Sequence, residues 1–325
     1  MLHSDPGKQP TIHKVLVVGA GAVGGYFGGR LRLAGVDVTF LLRSNRHMQV
    51  IENGIEVKSI DGDFLVYPPA VTTASDLRSA DLIVLAVKCY DIPTVLAEIR
   101  PLVEKGAVIL TLQNGISTEE EILQYFQADC VVAGVCFITS RLRTDGIIEH
   151  RQNGKISLGE WSGVDTARVS AIYQLFSGAG ISTFLKNQIR SLKWEKLCWN
   201  ATFNPLSVIL DHPVSLVLDV PPLLEIVKEG VREVTAVAAA EGISLNPKIV
   251  DQTLSVTVPI RDYYTSMYED YQNGKRTEIE YLNGELIRRG EKHGVPTPTI
   301  RMLYRFIKGL EKKREIRLQD LRRIG

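Results

Sequence analysis

The sequence has no apolar run of membrane-spanning length, no C-x-x-C or paired Cys/His spacing, and no surplus of either charge. Each absence removes a class. Without about twenty consecutive apolar residues a helix cannot cross a bilayer. The stretch MLHSDPGKQPTIH lacks the apolar core of a secretory signal, so residues 1–13 are expected to form a flexible leader. Four cysteines, Cys89, Cys130, Cys136 and Cys198, stand at spacings that suit neither a zinc site nor a disulfide scaffold. No metal is therefore expected, and the compartment is expected to be the reducing cytoplasm. With 38 Lys and Arg against 37 Asp and Glu, the net charge is +1, which speaks against a general binder of nucleic acid or acidic membrane. What is present is ordinary globular material: 45% apolar and 23% charged residues over 325 positions, enough for two domains.

The first of these reads as a strand–helix alternation. KVLVVGA (14–20) is a short β-branched run ending in glycine, YFGGRLRLAG (26–35) a helix stopped by Gly35, and VDVTFLLR (36–43) a second strand. ADLIVLAVK (80–88), GAVILTLQNG (106–115) and CVVAGVCFI (130–138) continue the series, with helical DIPTVLAEIRPLV between the first two. Two hairpins are expected, one over 54–67 turning on a type I′ Asp61-Gly62 and one over 146–160 turning at Asn153-Gly154 at the sheet's edge. Beyond residue 187 the strand signals fade. Helices are expected at 188–210, 221–241, 247–255, 262–272, 277–293 and 298–314, punctuated by Gly242, Gly294, Pro247 and Pro298. The fold class is thus an α/β, Rossmann-type doubly wound N-terminal domain over 14–187 and an all-α C-terminal domain over 188–325.

GAGAVGG places Gly19, Gly21 and Gly24 in G-x-G-x-x-G spacing after a strand and before a helix. The first glycine permits a tight turn, the second admits a pyrophosphate against the backbone, and the third lets helix and strand pack closely. Backbone N–H groups from Ala20, Ala22 and Val23 would then face the phosphates. The same residues also describe a tight turn with no ligand. Where an NAD site places Asp or Glu at the end of the second strand, this chain has Arg43, with Arg46 nearby. A guanidinium pairs with a 2′-phosphate that a carboxylate would repel, so NADPH is the expected cofactor. Lys88 and Asn114 close their strands at the carboxyl ends, where ligands of such sheets lie; strand-end solvation and Asn-Gly turn chemistry are their bland alternatives.

In WEKLCWNATFNPLS (194–207), Lys196, Asn200 and Asn204 fall at i, i+4 and i+8 on one face of an otherwise apolar helix. An ammonium there can protonate the oxygen of a ketone as hydride reaches its carbon. Equally, lysines snorkel from apolar helix faces without any chemistry.

These segments, with TSMYEDYQNGKRTEIEYLNGELIRRGEKHGVPTPT (265–299), resemble the ketopantoate reductase (2-dehydropantoate 2-reductase) family from about residue 14 to about 310. The resemblance rests above all on K-x-x-x-N-x-x-x-N-P and S-M-x(10)-E-I. It implies a C-terminal helical fold like that of 6-phosphogluconate dehydrogenase, and NADPH-dependent reduction of 2-dehydropantoate to pantoate on the way to pantothenate and coenzyme A. Lys196 would be the general acid, Asn200 and Asn204 would hold substrate and lysine, and Asn114 would touch the nicotinamide ribose and substrate. Ser266 would bind the carboxylate end, Glu278 would sit by cofactor and substrate hydroxyl, and Ser140, following its strand, would line the nicotinamide. Some members carry a further substrate-contacting asparagine where this chain, aligned without gaps, has Val214. Two alternatives stay open: another 2-oxo acid as substrate, and a non-catalytic NADPH-binding sensor. A homodimer through the helical domain is one arrangement open to the chain; neither nucleic acid nor membrane is expected as a partner. The charged EKKREIRLQDLRRIG reads as a solvated helix face.

Overall fold

A computed structural model describes residues 11–324, and the first ten residues of the expected leader lie outside the described range. Two units divide the chain: one runs to Gln113 and resumes over Thr118–Ile189, and the other joins Asn114–Ser117 to the residues from Arg190 onward.

The first unit is built on ten strands: β1 (Lys14–Val18), β2 (Asp37–Leu41), β3 (Ile55–Ser59), β4 (Phe64–Val66), β5 (Ala70–Val71), β6 (Leu82–Leu85), β7 (Val108–Thr111), β8 (Val131–Leu142), β9 (Ile148–Glu160) and β10 (Ser182–Leu185). They form one sheet in the order β4-β3-β9-β8-β7-β6-β1-β2-β5, with β10 also paired to β9. The run from β5 to β8 is parallel throughout. Side chains alternate across such strands, and both faces are covered. Val15 and Val17 pack with Tyr26, Phe27 and Leu31 of α1 (Ala22–Leu33) and Phe176 of the later helix Ala167–Gly178. Leu16 and Val18 pack on the other face with Ile92, Leu96 and Ile99 of the helix Ile92–Val103. This two-sided burial is the doubly wound fold.

Two turns differ from expectation. Asp61 keeps a negative φ and only Gly62 is left-handed (φ +105°), so the β3–β4 connection is not type I′. It is a wider loop, held by Ser59 N donating to Asp63 Oδ1 at 2.8 Å and Asp61 N to Ser59 Oγ at 3.0 Å. Nor does 146–160 fold back at Asn153-Gly154. Ile148–Glu160 is a single strand inside the sheet, antiparallel to β8 and parallel to β3. Asn153 (φ 65°) and Gly154 (φ 90°) are left-handed, but they make a bulge: Phe137 pairs with Lys155 and Ile138 with Asn153, and Gly154 is skipped. A long facing strand supplies partners on both sides of the pair, so the kink is absorbed without reversing the chain. The helix over Ser44–Asn53, which is not among the expected elements, has only Val50 buried.

The second unit is all helix among its described elements: Ile189–Leu210, Ser215–Asp219, Pro221–Ala240, Ile249–Ser255, Ser266–Gln272, Glu285–His293 and Pro298–Ile324. Leu197, Ala201 and Phe203 of the first pack with Val227, Val231 and Val234, spaced at helical period, and with Leu286, Ile300 and Ile307. The expected helix 277–293 divides. Thr277–Ile279 is not helical, Glu280–Gly284 is a wide π turn closed by Gly284 N to Ile279 O at 3.0 Å, and only then does the α-helix begin. The last helix runs on from the expected 298–314 to Ile324, taking in the charged end that also reads as helix. No helix among the described residues is long and apolar enough to cross a membrane.

Candidate active site

Each glycine of the loop meets a different physical demand. Gly19 takes φ +97°, a left-handed turn that other residues resist. Around Gly21 nothing lies within 4 Å of where a Cβ would stand, leaving the backbone approachable. At Gly24 a Cβ would lie 2.1 Å from the Gly19 carbonyl oxygen and 2.7 Å from Ala86 Cβ. α1 begins at Ala22 with Gly21 as its N-cap, so the N–H groups of its first turn have no earlier carbonyl to bond and point outward. Ala20 is buried, while Gly21, Ala22 and Val23 remain partly open. This loop fits a pyrophosphate.

Arg43 sits at the N-cap of Ser44–Asn53 with its side chain 77% exposed, and it pairs with Asp91. Arg46 is turned elsewhere. Its Nε donates to Ala20 O at 3.0 Å and its Nη1 to Gly146 O at 3.2 Å, tying the glycine loop to the β8–β9 turn rather than standing free for a 2′-phosphate. Burial draws its pKa below the usual arginine value. Lys88 follows β6 at the head of a short 3-10 turn (Cys89–Asp91), half-buried. Beside it Gln113, singled out by no pattern in the sequence, donates from Nε2 to Val87 O at 3.2 Å. Ser140 lies inside β8, not after it, because that strand continues to Leu142; its Oγ is buried without a hydrogen-bond partner.

The helical unit gathers most of the expected substrate residues. Trp194, Leu197 and Phe203 are buried, and Trp199 stacks on Phe203 while donating from Nε1 to Thr257 Oγ1 at 2.9 Å. On the remaining stripe Lys196 is half-buried, Asn200 is 5% exposed and Asn204 2%. Asn200 Nδ2 and Asn204 Oδ1 are buried and have no hydrogen-bond partner in the protein. A pair of such atoms, one donor and one acceptor, is costly unless a ligand or an ordered water satisfies them.

Three segments reach this helix. Thr265 caps Ser266–Gln272 by accepting from Tyr268 N, and its Oγ1 lies 3.5 Å from Asn204 O, which puts Ser266 in the first turn beside the stripe. Asn283 Nδ2 donates to Ala201 O at 2.9 Å and so draws in the wide turn that follows buried Glu278. The loop carrying Asn114 packs on that same turn: Gly115 has φ +88°, a Cβ there would meet Tyr281 O at 3.0 Å, and Ile116 joins the helical core. Val214 is 0% exposed in that core, with its N–H on Tyr263 O at 3.1 Å, so it presents no polar group at the stripe. Among the described residues no cluster of His, Cys, Asp and Glu suits a metal ion.

Fold and glycine loop together define a dinucleotide-binding protein of the Rossmann class. Comparison with known proteins narrows this: residues 15–163 match the model for ketopantoate reductase PanE/ApbA, residues 188–311 match that for its C terminal part, and the chain belongs to this family. It is 33% identical to a 2-dehydropantoate 2-reductase from Nostoc sp. over 92% of this chain and 95% of that one. A crystal structure of 2-dehydropantoate 2-reductase from Geobacter metallireducens GS-15 superposes with a TM-score of 0.87 at 33% identity, covering 91% of this chain and 99% of the other. A ternary structure of D-mandelate dehydrogenase with NADH and anilino(oxo)acetate also superposes with a TM-score of 0.87, at 28% identity over 92% and 99%. The protein is a pyridine-nucleotide-dependent oxidoreductase.

Proposed function

We propose that the protein reduces 2-dehydropantoate to (R)-pantoate with NADPH, in the cytoplasm, as a step toward pantothenate and coenzyme A. The observation that carries this reading is the pair of unsatisfied amide atoms on Asn200 and Asn204, in line with Lys196. When bound, the reduced nicotinamide supplies hydride to C2 of the 2-oxo acid. The residues of the chain do the rest. Gly19, Gly21 and Gly24, with the N–H groups of Ala22 and Val23, hold the pyrophosphate, and Arg43 meets the 2′-phosphate in exchange for Asp91. Lys88 and Asn114 line the cofactor beyond the ends of β6 and β7, and Ser140 does so from within β8. Lys196 donates a proton to the oxygen at C2 and stabilises its charge beforehand. Asn200 Nδ2 suits an oxygen acceptor and Asn204 Oδ1 a hydroxyl or the ammonium itself, Ser266 meets the carboxylate, and Glu278 accepts from the substrate hydroxyl and borders the nicotinamide.

The test is turnover of 2-dehydropantoate with NADPH and NADH side by side. Oxidation of NADPH with a kcat/KM at least about tenfold above that with NADH supports the reading. No oxidation of either overturns it. A second reading, the same chemistry on another 2-oxo acid, is favoured by apolar Val214 and by the likeness to D-mandelate dehydrogenase. A panel of aryl and alkyl 2-oxo acids, read by the same assay, separates the two.

A further inference from the structure

Pro205 stands inside the long helix Ile189–Leu210. Proline has no N–H and its ring crowds the carbonyl four residues earlier, so Ala201 O loses its helical donor. Ala201 is 0% exposed, so bulk water does not reach it to replace that donor. The replacement comes from a distant part of the unit: Asn283 Nδ2, at 2.9 Å. Asn283 is itself 0% exposed, within the wide turn Glu280–Gly284, and its Oδ1 has no partner. A leucine there would keep the branched shape without burying an unsatisfied acceptor, so the amide is not the choice that apolar burial alone would favour. Ala201 lies between Asn200 and Asn204, and Asn283 lies five residues after Glu278. The bond therefore joins the two segments that carry the substrate residues, at the point where the helix has been opened.

We propose that Asn283 is a positioning residue, which replaces the hydrogen bond Pro205 removes and thereby fixes the Asn200–Asn204 stripe against the turn after Glu278. It acts through those side chains and touches neither substrate nor cofactor. The proposal rests on the reading of that stripe as the 2-oxo acid site.

A double-mutant cycle tests it, because Pro205→Ala restores an N–H to Ala201 O from within the helix. In the wild-type background, Asn283→Leu is expected to raise KM for 2-dehydropantoate about tenfold or more, with the Kd for NADPH changed less than about twofold. In the Pro205→Ala background the same substitution is expected to raise KM less than about threefold. An equal effect in both backgrounds, or an unchanged KM in the first, overturns the proposal. Should Asn283→Leu alone fail to fold, the double variant is expected to fold, and its failure overturns the proposal too. If the wild type reduces no 2-oxo acid, the functional reading falls separately. The cycle then remains readable in Tm, where the loss from Asn283→Leu is expected to be smaller in the Pro205→Ala background, and equal losses contradict the proposal.

Discussion

Gly24 has no room for a side chain because the carbonyl oxygen of Gly19 would lie 2.1 Å from its Cβ, whereas Gly21, three residues earlier, faces open space. Packing therefore excludes a side chain at Gly24 and does not exclude one at Gly21, where the proposed reading has the pyrophosphate approach the backbone. Gly24→Ala is expected to destabilise the first unit by roughly 1–3 kcal/mol or more through forced separation of helix and strand. Gly21→Ala is expected to leave stability within about 0.5 kcal/mol while weakening NADPH binding at least about tenfold. Thermal melts with and without NADPH distinguish them: a stable Gly24→Ala, or a Gly21→Ala with full affinity, contradicts the assignment.

The pairing of Arg43 with Asp91 bears on cofactor choice. Arg43→Ala is expected to raise KM for NADPH about tenfold to a hundredfold and leave that for NADH nearly unchanged, since NADH has no 2′-phosphate. Asp91→Asn releases the guanidinium and is expected to lower KM for NADPH. Kinetics of both variants with both cofactors decide this, and parallel changes for NADPH and NADH would count against a 2′-phosphate role.

His150 gives the first unit an acid sensitivity. Its ring is fully buried, bonded through Nδ1 to Ser59 Oγ at 2.8 Å and through Nε2 to Gln152 O at 3.1 Å, beside the Tyr26 ring. Burial lowers its pKa from 6.5, opposed by the charge of nearby Asp61. As pH falls below that value the unfolded chain takes up the proton before the folded one does, so the contribution to stability is complete above about 6.5 and is lost on acidification toward the lower folded pKa. Tm measured from pH 8 to 5 is expected to fall across this window, and a His150→Gln variant is expected to show a shallower slope. Identical slopes would place the acid sensitivity elsewhere.

How much of this was legible in the sequence depended on whether a signal was local. The glycine loop and the strands β1, β6 and β7 announce themselves because burial on both faces demands continuous apolar runs. The Lys196–Asn200–Asn204 stripe follows from helical period, whereas the unsatisfied amide atoms of Asn200 and Asn204 become visible only once the helix is packed. Asn153-Gly154 is ambiguous in sequence because the dipeptide that favours a hairpin turn also permits a bulge, and only the length of the facing strand decides between them. Asp61-Gly62 is ambiguous for a related reason: the side chains of Ser59 and Asp63 hold a wider loop. Asn283 left no local trace at all. Its partner is 82 residues away, and the clue lay in a different residue, Pro205, whose missing N–H required a donor from somewhere. The start of the expected helix 277–293 was displaced because a π turn keeps apolar spacing nearly helical while adding a residue.

The most direct test of the account is the Lys196→Ala variant, measured for turnover of 2-dehydropantoate and for NADPH affinity in parallel. Loss of a positioned general acid is expected to lower kcat by about 10²–10⁴-fold, with the Kd for NADPH within about twofold of wild type. Turnover at the wild-type rate would contradict the role given to Lys196, and with it the mechanism built on that helix.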